Sequence, residues 1–286
     1  MNVKGPQPWD RPIFVASVTR SGSTLLQRIL NVHPDVAIWG EHNGALAGLC
    51  DTWEALHADH AINHLRRGNE FAGTVVDGPQ DGTEFVPWVS PFLATEFAVA
   101  IRSLIIEQFS NGVPQTTRWG FKEVRYESNT LEVLGDIFPQ SHFVLLARDL
   151  DGYVASRFFV WREEQPRFDT PEDLDRARAV VQNLVNGWMA RYSGYLQLAE
   201  RFRSRCSFVN YATLVSGSER IPELFGEIGL SRPEDAQIDE VLRTRLGSSF
   251  GDEQARADRE IVVDLVRHAE YEQDRYRAIV AAFGLG

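Results

Sequence analysis

The sequence predicts an α/β fold, a three-layer α/β/α arrangement around a central parallel sheet, and three observations carry that expectation. Strand-length runs such as Ile13–Ser17 and His142–Ala147 are each followed by a polar turn and then by apolar residues at helical spacing. Strand, turn and helix recurring in this way indicate parallel strands with crossover helices on both faces. Phe143 to Ala147 is apolar throughout rather than alternating, as a strand buried on both faces must be. The first unit, Phe14-Val-Ala-Ser-Val-Thr-Arg-Ser-Gly-Ser-Thr-Leu-Leu26, passes from strand to helix through a turn of small residues. Such a turn leaves backbone N–H groups unpaired at the positive end of a helix, a P-loop-like cradle for an oxyanion.

The remaining elements follow in order. The loop helix carries Leu25, Leu26, Ile29 and Leu30 and stops near His33-Pro34, because proline has no N–H to continue it. Val36-Ala-Ile-Trp39-Gly40-Glu41-His42-Asn43 returns the chain toward the loop. Residues 44–118 read as an insertion, a lobe or a lid. It holds a helical segment over 53–67 with His57, His60 and His64, a Gly-, Asp- and Pro-rich loop over 73–91, and a helix over 93–109. The three histidines fall near one helical face, yet no carboxylate or cysteine completes a ligand set, so they read as solvated surface groups.

The α/β pattern resumes with strand Arg118–Glu123 and a helix through Leu131, Leu134 and Phe138, capped by Ser128 or Asn129 and stopped at Pro139. Strand His142–Ala147 ends at Arg148-Asp149 and leads into a helix with Val154, Ser156 and Phe158. A long amphipathic helix over 172–202, a strand over 207–211, a helix over 219–228, a flexible stretch over 244–251 and a charged helix complete the chain. With no repeat and no linker, residues 1–286 read as one domain.

Composition narrows the function. A chain of 286 residues with 43% hydrophobic and 24% charged residues can bury one large core. No apolar run approaches the roughly 20 residues that span a bilayer, and no apolar segment precedes the first strand, so a cytoplasmic location is expected. Cys50 and Cys206 have no ligand-like spacing and read as reduced thiols. A net charge of −11 argues against a polyanionic partner such as nucleic acid, while leaving room for a local basic pocket. Ligands in parallel sheets bind at the carboxyl ends of the strands, where Arg20, Lys122 and Arg148 should converge.

Laid over the nucleotide-triphosphate pattern G-x-x-x-x-G-K-[ST], the loop keeps Gly22 and Thr24 but has Ser17 for the first glycine and Ser23 for the lysine. Without that lysine an ordinary kinase or ATPase is disfavoured. Thr19-Arg20-Ser21-Gly22-Ser23-Thr24 resembles instead the 5′-phosphosulfate loop of sulfotransferases that use 3′-phosphoadenosine 5′-phosphosulfate (PAPS). A second match is Phe143-Val-Leu-Leu-Ala-Arg148-Asp-Leu-Asp-Gly-Tyr-Val-Ala-Ser156, where that family has an arginine and, eight residues on, a serine that bind the 3′-phosphate. Leu150-Asp151 replaces the usual Pro-Arg of that motif. A guanidinium fork and a hydroxyl from the next helix can both reach one phosphate.

His33-Pro34 and Glu41 resemble the tyrosylprotein sulfotransferases and bacterial-type proteins like them, in which a glutamate after His-Pro is the catalytic base. Lys122 resembles that group's lysine, with Lys122-Glu123 where the group has Lys-Asp. The resemblance implies catalytic roles for Glu41, Arg20 and Lys122. It implies nucleotide contacts from Arg20, Ser21, Gly22, Ser23, Thr24, Arg148, Ser156 and, near the adenine, Tyr211, although Ala212 and Thr213 depart from the family's Tyr-Glu-Asp-Leu. No metal is required by this arrangement. The expected reaction moves a sulfuryl group from PAPS to a hydroxyl of an acceptor, a small molecule or natural product, leaving 3′,5′-adenosine bisphosphate.

Two alternatives stand beside it: a divergent P-loop kinase, and a catalytically silent nucleotide-binding scaffold. The acceptor pocket is expected from aromatic residues of the insertion, Trp53, Phe71, Phe85, Trp88 and Phe92, and from 158–168 with Trp161. The loop at 245–251 is a candidate cover for the nucleotide.

Overall fold

The computed structural model describes residues 7–58, 94–160, 168–216, 220–244 and 253–285. Five strands, β1 (Ile13–Ser17), β2 (Val36–Trp39), β3 (Arg118–Glu123), β4 (His142–Ala147) and β5 (Cys206–Asn210), form one sheet in the order β2-β3-β1-β4-β5. Every neighbouring pair is parallel. The helices are α1 (Ser23–Leu30), α2 (Ala47–Ala58), α3 (Ala94–Ser110), α4 (Ser128–Ile137), α5 (Leu150–Phe158) and α6 (Pro171–Arg201). They continue with α7 (Tyr211–Ser216), α8 (Arg220–Glu227), α9 (Asp235–Arg243), α10 (Glu253–Arg267) and α11 (Gln273–Phe283).

Alternation along the strands makes the three layers. Ile13, Val15, Val144, Leu146 and Val209 share one apolar cluster with Leu26 and Ile29 of α1 and with α8 and α9. Phe14, Ala16, Phe121, Phe143 and Leu145 point the other way, into the larger cluster that takes in α4, α5, α6, α10 and α11. The predicted α/β class is therefore the observed one. From β1 the chain runs out to the edge strand β2 and returns as β3, then crosses β1 to reach β4 and β5, so a crevice opens at the carboxyl end of β1 where the winding reverses.

Helix α6 fixes that crevice from below. Its apolar stripe is buried, and its three ring donors reach the strand ends. Tyr195 Oη donates to the Ser17 carbonyl (3.2 Å), Tyr192 Oη to Leu146 (3.2 Å) and Trp188 Nε1 to Arg148 (3.1 Å). Thr170 caps the helix by accepting from Asp173 N. The last helix ties back to β5, where Asn210 Nδ2 donates to the Gly284 carbonyl at 2.5 Å and Phe283 packs on Phe208.

Several boundaries differ from expectation for identifiable reasons. Helix α4 begins at Ser128, so neither Ser128 nor Asn129 is its cap; Glu127 holds that place and Asn129 Oδ1 accepts from Thr130 N. Tyr211 starts α7 rather than ending a strand, because the Asn210 side chain turns the chain by accepting from Ala212 N. The closing charged helix is two helices. At the break, Gln182 of α6 both donates to the Glu270 carbonyl and accepts from its N–H, replacing the helical bonds lost there.

Of the insertion, α2 and α3 are described and pack against α4 and β3; His60, His64 and the 73–91 loop lie outside the described residues, as do Trp161 and 245–251. No helix among the described residues is long and apolar enough to cross a membrane.

Candidate active site

The loop after β1 owes its shape to two residues in the left-handed region, Arg20 (φ 65°) and Gly22 (φ 94°). Glycine is required at 22 twice over: for that φ, and because a Cβ there would lie 2.3 Å from Cδ2 of Tyr211. Arg20 has no such freedom, so its backbone is held in a conformation that a side chain disfavours. Ser21 is buried and its Oγ donates to the Val18 carbonyl at 2.7 Å, which locks the turn. The backbone N–H groups of Ser21, Gly22, Ser23 and Thr24 donate to no other group among the described residues. They stand at the positive end of α1.

Arg148 leaves the end of β4 beside this loop. Its Nη1 donates to the Arg20 carbonyl (3.2 Å) and its guanidinium lies over the Tyr211 ring, 4.7 Å from the centroid. Its Nε is buried with no hydrogen-bond partner among the described residues. Asp149 is 4.0 Å from that nitrogen, but its carboxylate is committed to capping α5 through Gly152 N (2.6 Å). Ser156, on α5, accepts from Arg20 Nε at 3.3 Å. Arg20, Arg148, Ser156 and Tyr211 thus form one cationic corner, and an orphaned buried guanidinium N–H is what an incoming anion would satisfy.

A second group sits at the end of β3. Lys122, 4% exposed, donates from Nζ to Glu41 Oε1 at 2.5 Å, and Arg125 Nη1 donates to Glu41 Oε2 at 3.0 Å. The pairing of β2 with β3 explains the meeting: Trp39 lies opposite Phe121, one residue before Lys122, and Glu41 follows Trp39 by two. The Glu123 carboxylate is buried beneath. Burial alone would raise it, but N–H bonds from Gly44 and Val124 and the Arg125 guanidinium outweigh burial and hold it below the ordinary carboxylate range. Arg125 is correspondingly raised by Glu41 and Glu123. His42 is lowered, chiefly by burial, against the opposing pull of Glu123.

All ten sequence-predicted residues lie at the carboxyl ends of the strands, in two groups. Ser21, Gly22, Ser23 and Thr24 with Arg20, Arg148, Ser156 and Tyr211 form one; Glu41 and Lys122 form the other. Arg20 turns its side chain to Ser156 and not to Glu41. Sequence reasoning missed Arg125 as a partner of Glu41 and passed over Glu123; the only signal was charge density in Lys122-Glu123-Val124-Arg125. Among the described residues no cluster of three or more His, Cys, Asp or Glu could hold a metal ion.

Residues 12–223 match the model of the sulfotransferase family. The chain belongs to that family. The divergent-kinase alternative falls with this match, and the expected sulfotransferase class is borne out at family level. A curated relative from Caenorhabditis briggsae, named as a protein-tyrosine sulfotransferase, is 28% identical over 148 residues, covering 52% of this chain and 43% of its own length. The match therefore spans less than half of that relative. Among solved structures, the sulfotransferase domain of the Synechococcus PCC 7002 olefin synthase is similar over 98% of this chain and 96% of its own, with a TM-score of 0.50 and 17% identity. The sulfotransferase STF9 of Mycobacterium avium aligns over 95% of this chain and 75% of its own, with a TM-score of 0.49 and 14% identity. At 17% identity the likeness to the olefin synthase domain is one of fold.

Proposed function

We propose that this family member transfers a sulfuryl group from PAPS to a hydroxyl of a small-molecule acceptor, with Glu41 as general base. The observation that carries the reading is the division of the crevice: a cationic corner with an orphaned Arg148 N–H on one side of the loop, and a carboxylate paired with cations on the other. In this reading Arg148 and Ser156 hold the 3′-phosphate, the N–H groups of residues 21–24 hold the 5′ end, and Tyr211 borders the adenine. Bound there, the nucleotide supplies the activated sulfuryl group.

Glu41 takes the proton from the acceptor oxygen. Lys122 and Arg20 stabilise the charge that develops as the bond to the leaving oxygen loosens; in-line transfer of this kind depends on positioning and electrostatics. No residue of the proposal is assigned to a metal. The single domain, the 44–118 insertion and the 158–168 stretch as sources of the acceptor pocket, and a cytoplasmic setting belong to the same reading.

Two measurements test it. 3′,5′-Adenosine bisphosphate should raise the melting temperature of the wild type and not that of Arg148→Ala; no shift in the wild type removes the nucleotide. With radiolabelled donor and a panel of hydroxylated acceptors, Glu41→Ala should lose about 10²–10⁴-fold in turnover while still binding the bisphosphate. A wild type that binds the bisphosphate but transfers to nothing is the silent scaffold.

A further inference from the structure

Beneath the Glu41 loop lies a carboxylate with no part in the chemistry above. Glu123 is 1% exposed and accepts five hydrogen bonds. Its Oε2 takes the N–H groups of His42 (3.2 Å) and Gly44 (2.9 Å). Its Oε1 takes those of Val124 (2.9 Å) and Arg125 (3.2 Å) and the Arg125 guanidinium (3.1 Å). The loop is shaped to deliver them: Asn43 (φ 59°) and Gly44 (φ 70°) are both left-handed, which gathers N–H groups on one anion.

A second anchor reinforces the first. Tyr126 Oη accepts from Leu46 N (2.9 Å) and shares a second hydrogen bond with His42 Nε2 (2.5 Å). His42 Nδ1, buried and without a hydrogen-bond partner among the described residues, faces Glu123 Oε2 at 3.8 Å. Residues 42, 44 and 46 are thus tied inward, while Glu41, Asn43 and Ala45, which alternate with them, are exposed. Arg125 Nη1 bridges the two carboxylates, 3.1 Å from Glu123 and 3.0 Å from Glu41.

We propose that Glu123 is a positioning residue for Glu41, tying the loop that carries Glu41 to the end of β3 and holding Arg125 as the second cation on its carboxylate. This inference rests on Glu41 being the base. A neutral acceptor could bind the loop N–H groups without the desolvation cost of a buried charge; the charge is accounted for by its second task of fixing an exposed guanidinium. Glu123→Gln is the informative change, since both oxygens accept. Whichever way the amide sits, its NH₂ meets at least two N–H donors.

The experiment is a mutant cycle on donor hydrolysis, with water as the acceptor and release of labelled sulfate as the signal. Glu123→Gln should lower kcat at least tenfold, with donor KM and bisphosphate affinity within about twofold of wild type. The amide protons of His42 and Gly44 should lose exchange protection. Arg125→Met, at an exposed position, should lower kcat several-fold without loss of melting temperature, and Arg125→Lys should restore part of it. In the Glu41→Gln background Glu123→Gln should cost nothing more, because residues that act through one group are not additive. A further tenfold loss in that background, or full activity in Arg125→Met, overturns the positioning role while leaving Glu41 as base. Full turnover by Glu41→Gln alone overturns both. If Glu123→Gln does not fold, the Arg125 pair, alone and in the Glu41→Gln background, decides by the same criteria.

Discussion

The amino ends of the strands and the Arg20–Arg148 corner at their carboxyl ends use charge in opposite ways. At the amino ends, polar groups are buried and satisfied within the protein. Arg118 donates to the carbonyls of Arg11 and Ile228, His142 pairs with Ser207 Oγ at 2.9 Å, and Arg205 serves the Gly135 and Phe138 carbonyls and the Ser141 hydroxyl. In that corner the loop N–H groups and Arg148 Nε have no partner among the described residues, and Arg20 holds a strained backbone. The contrast teaches that a buried charge at a strand end says little by itself; what separates fastening from recognition is whether its hydrogen-bonding capacity is already spent.

The largest effect that would break the comparison belongs to the amino end. Arg118→Met takes the guanidinium donor from the Arg11 and Ile228 carbonyls and should cost about 4 kcal/mol in urea unfolding, with bisphosphate affinity unchanged in the surviving fold. Next is His142, whose imidazole is pushed down to about 4, first by burial and then by Arg118 and Arg205. The unfolded chain takes up a proton near pH 6.5 that the folded protein refuses until about pH 4. Stability is therefore full above pH 6.5 and falls on acidification through that window, by about 3 kcal/mol in all. His142→Gln should show a correspondingly flatter melting-temperature profile between pH 7 and pH 4.5 than the wild type; equal slopes would assign the acid loss elsewhere.

At the carboxyl end the effects should appear in binding instead. Arg148→Ala should weaken the bisphosphate about 100-fold by calorimetry, with unfolding little changed. A large drop in stability with intact affinity would make Arg148 another fastener. The smallest and sharpest test is Tyr211→Leu, which removes the ring under that guanidinium and should cost several-fold in affinity, about 1 kcal/mol.

Legibility in the sequence followed the distance over which each relation acts. Arg148 and Ser156 belong to one strand–helix unit, and residues 20–24 to another, so each fits in one short motif: the small-residue turn showed the second directly, and the resemblance picked out the first. Glu41 was found through resemblance, while Arg125 was hidden because its meeting with Glu41 exists only once β2 is laid beside β3. Glu123 read as a mere variation on Lys-Asp, since nothing in a linear pattern shows a carboxylate collecting N–H groups from 79 and 81 positions away. The break between α10 and α11 escaped for a similar reason: Gln182, 88 residues earlier, supplies the bonds that make it tolerable.

The bond between Asn210 and the Gly284 carbonyl has a consequence for how the protein comes into being. Tyr211, the platform under Arg148, directly follows a residue fastened to the final turn of α11. During synthesis β1 to β4 can pair while the rest of the chain is still being made, yet the Tyr211 side of the crevice gains its support only when residue 284 has left the ribosome. Nascent chains should therefore acquire sheet structure well before they acquire affinity for the nucleotide, and shortening α11 should delay or abolish the second event while leaving the first intact.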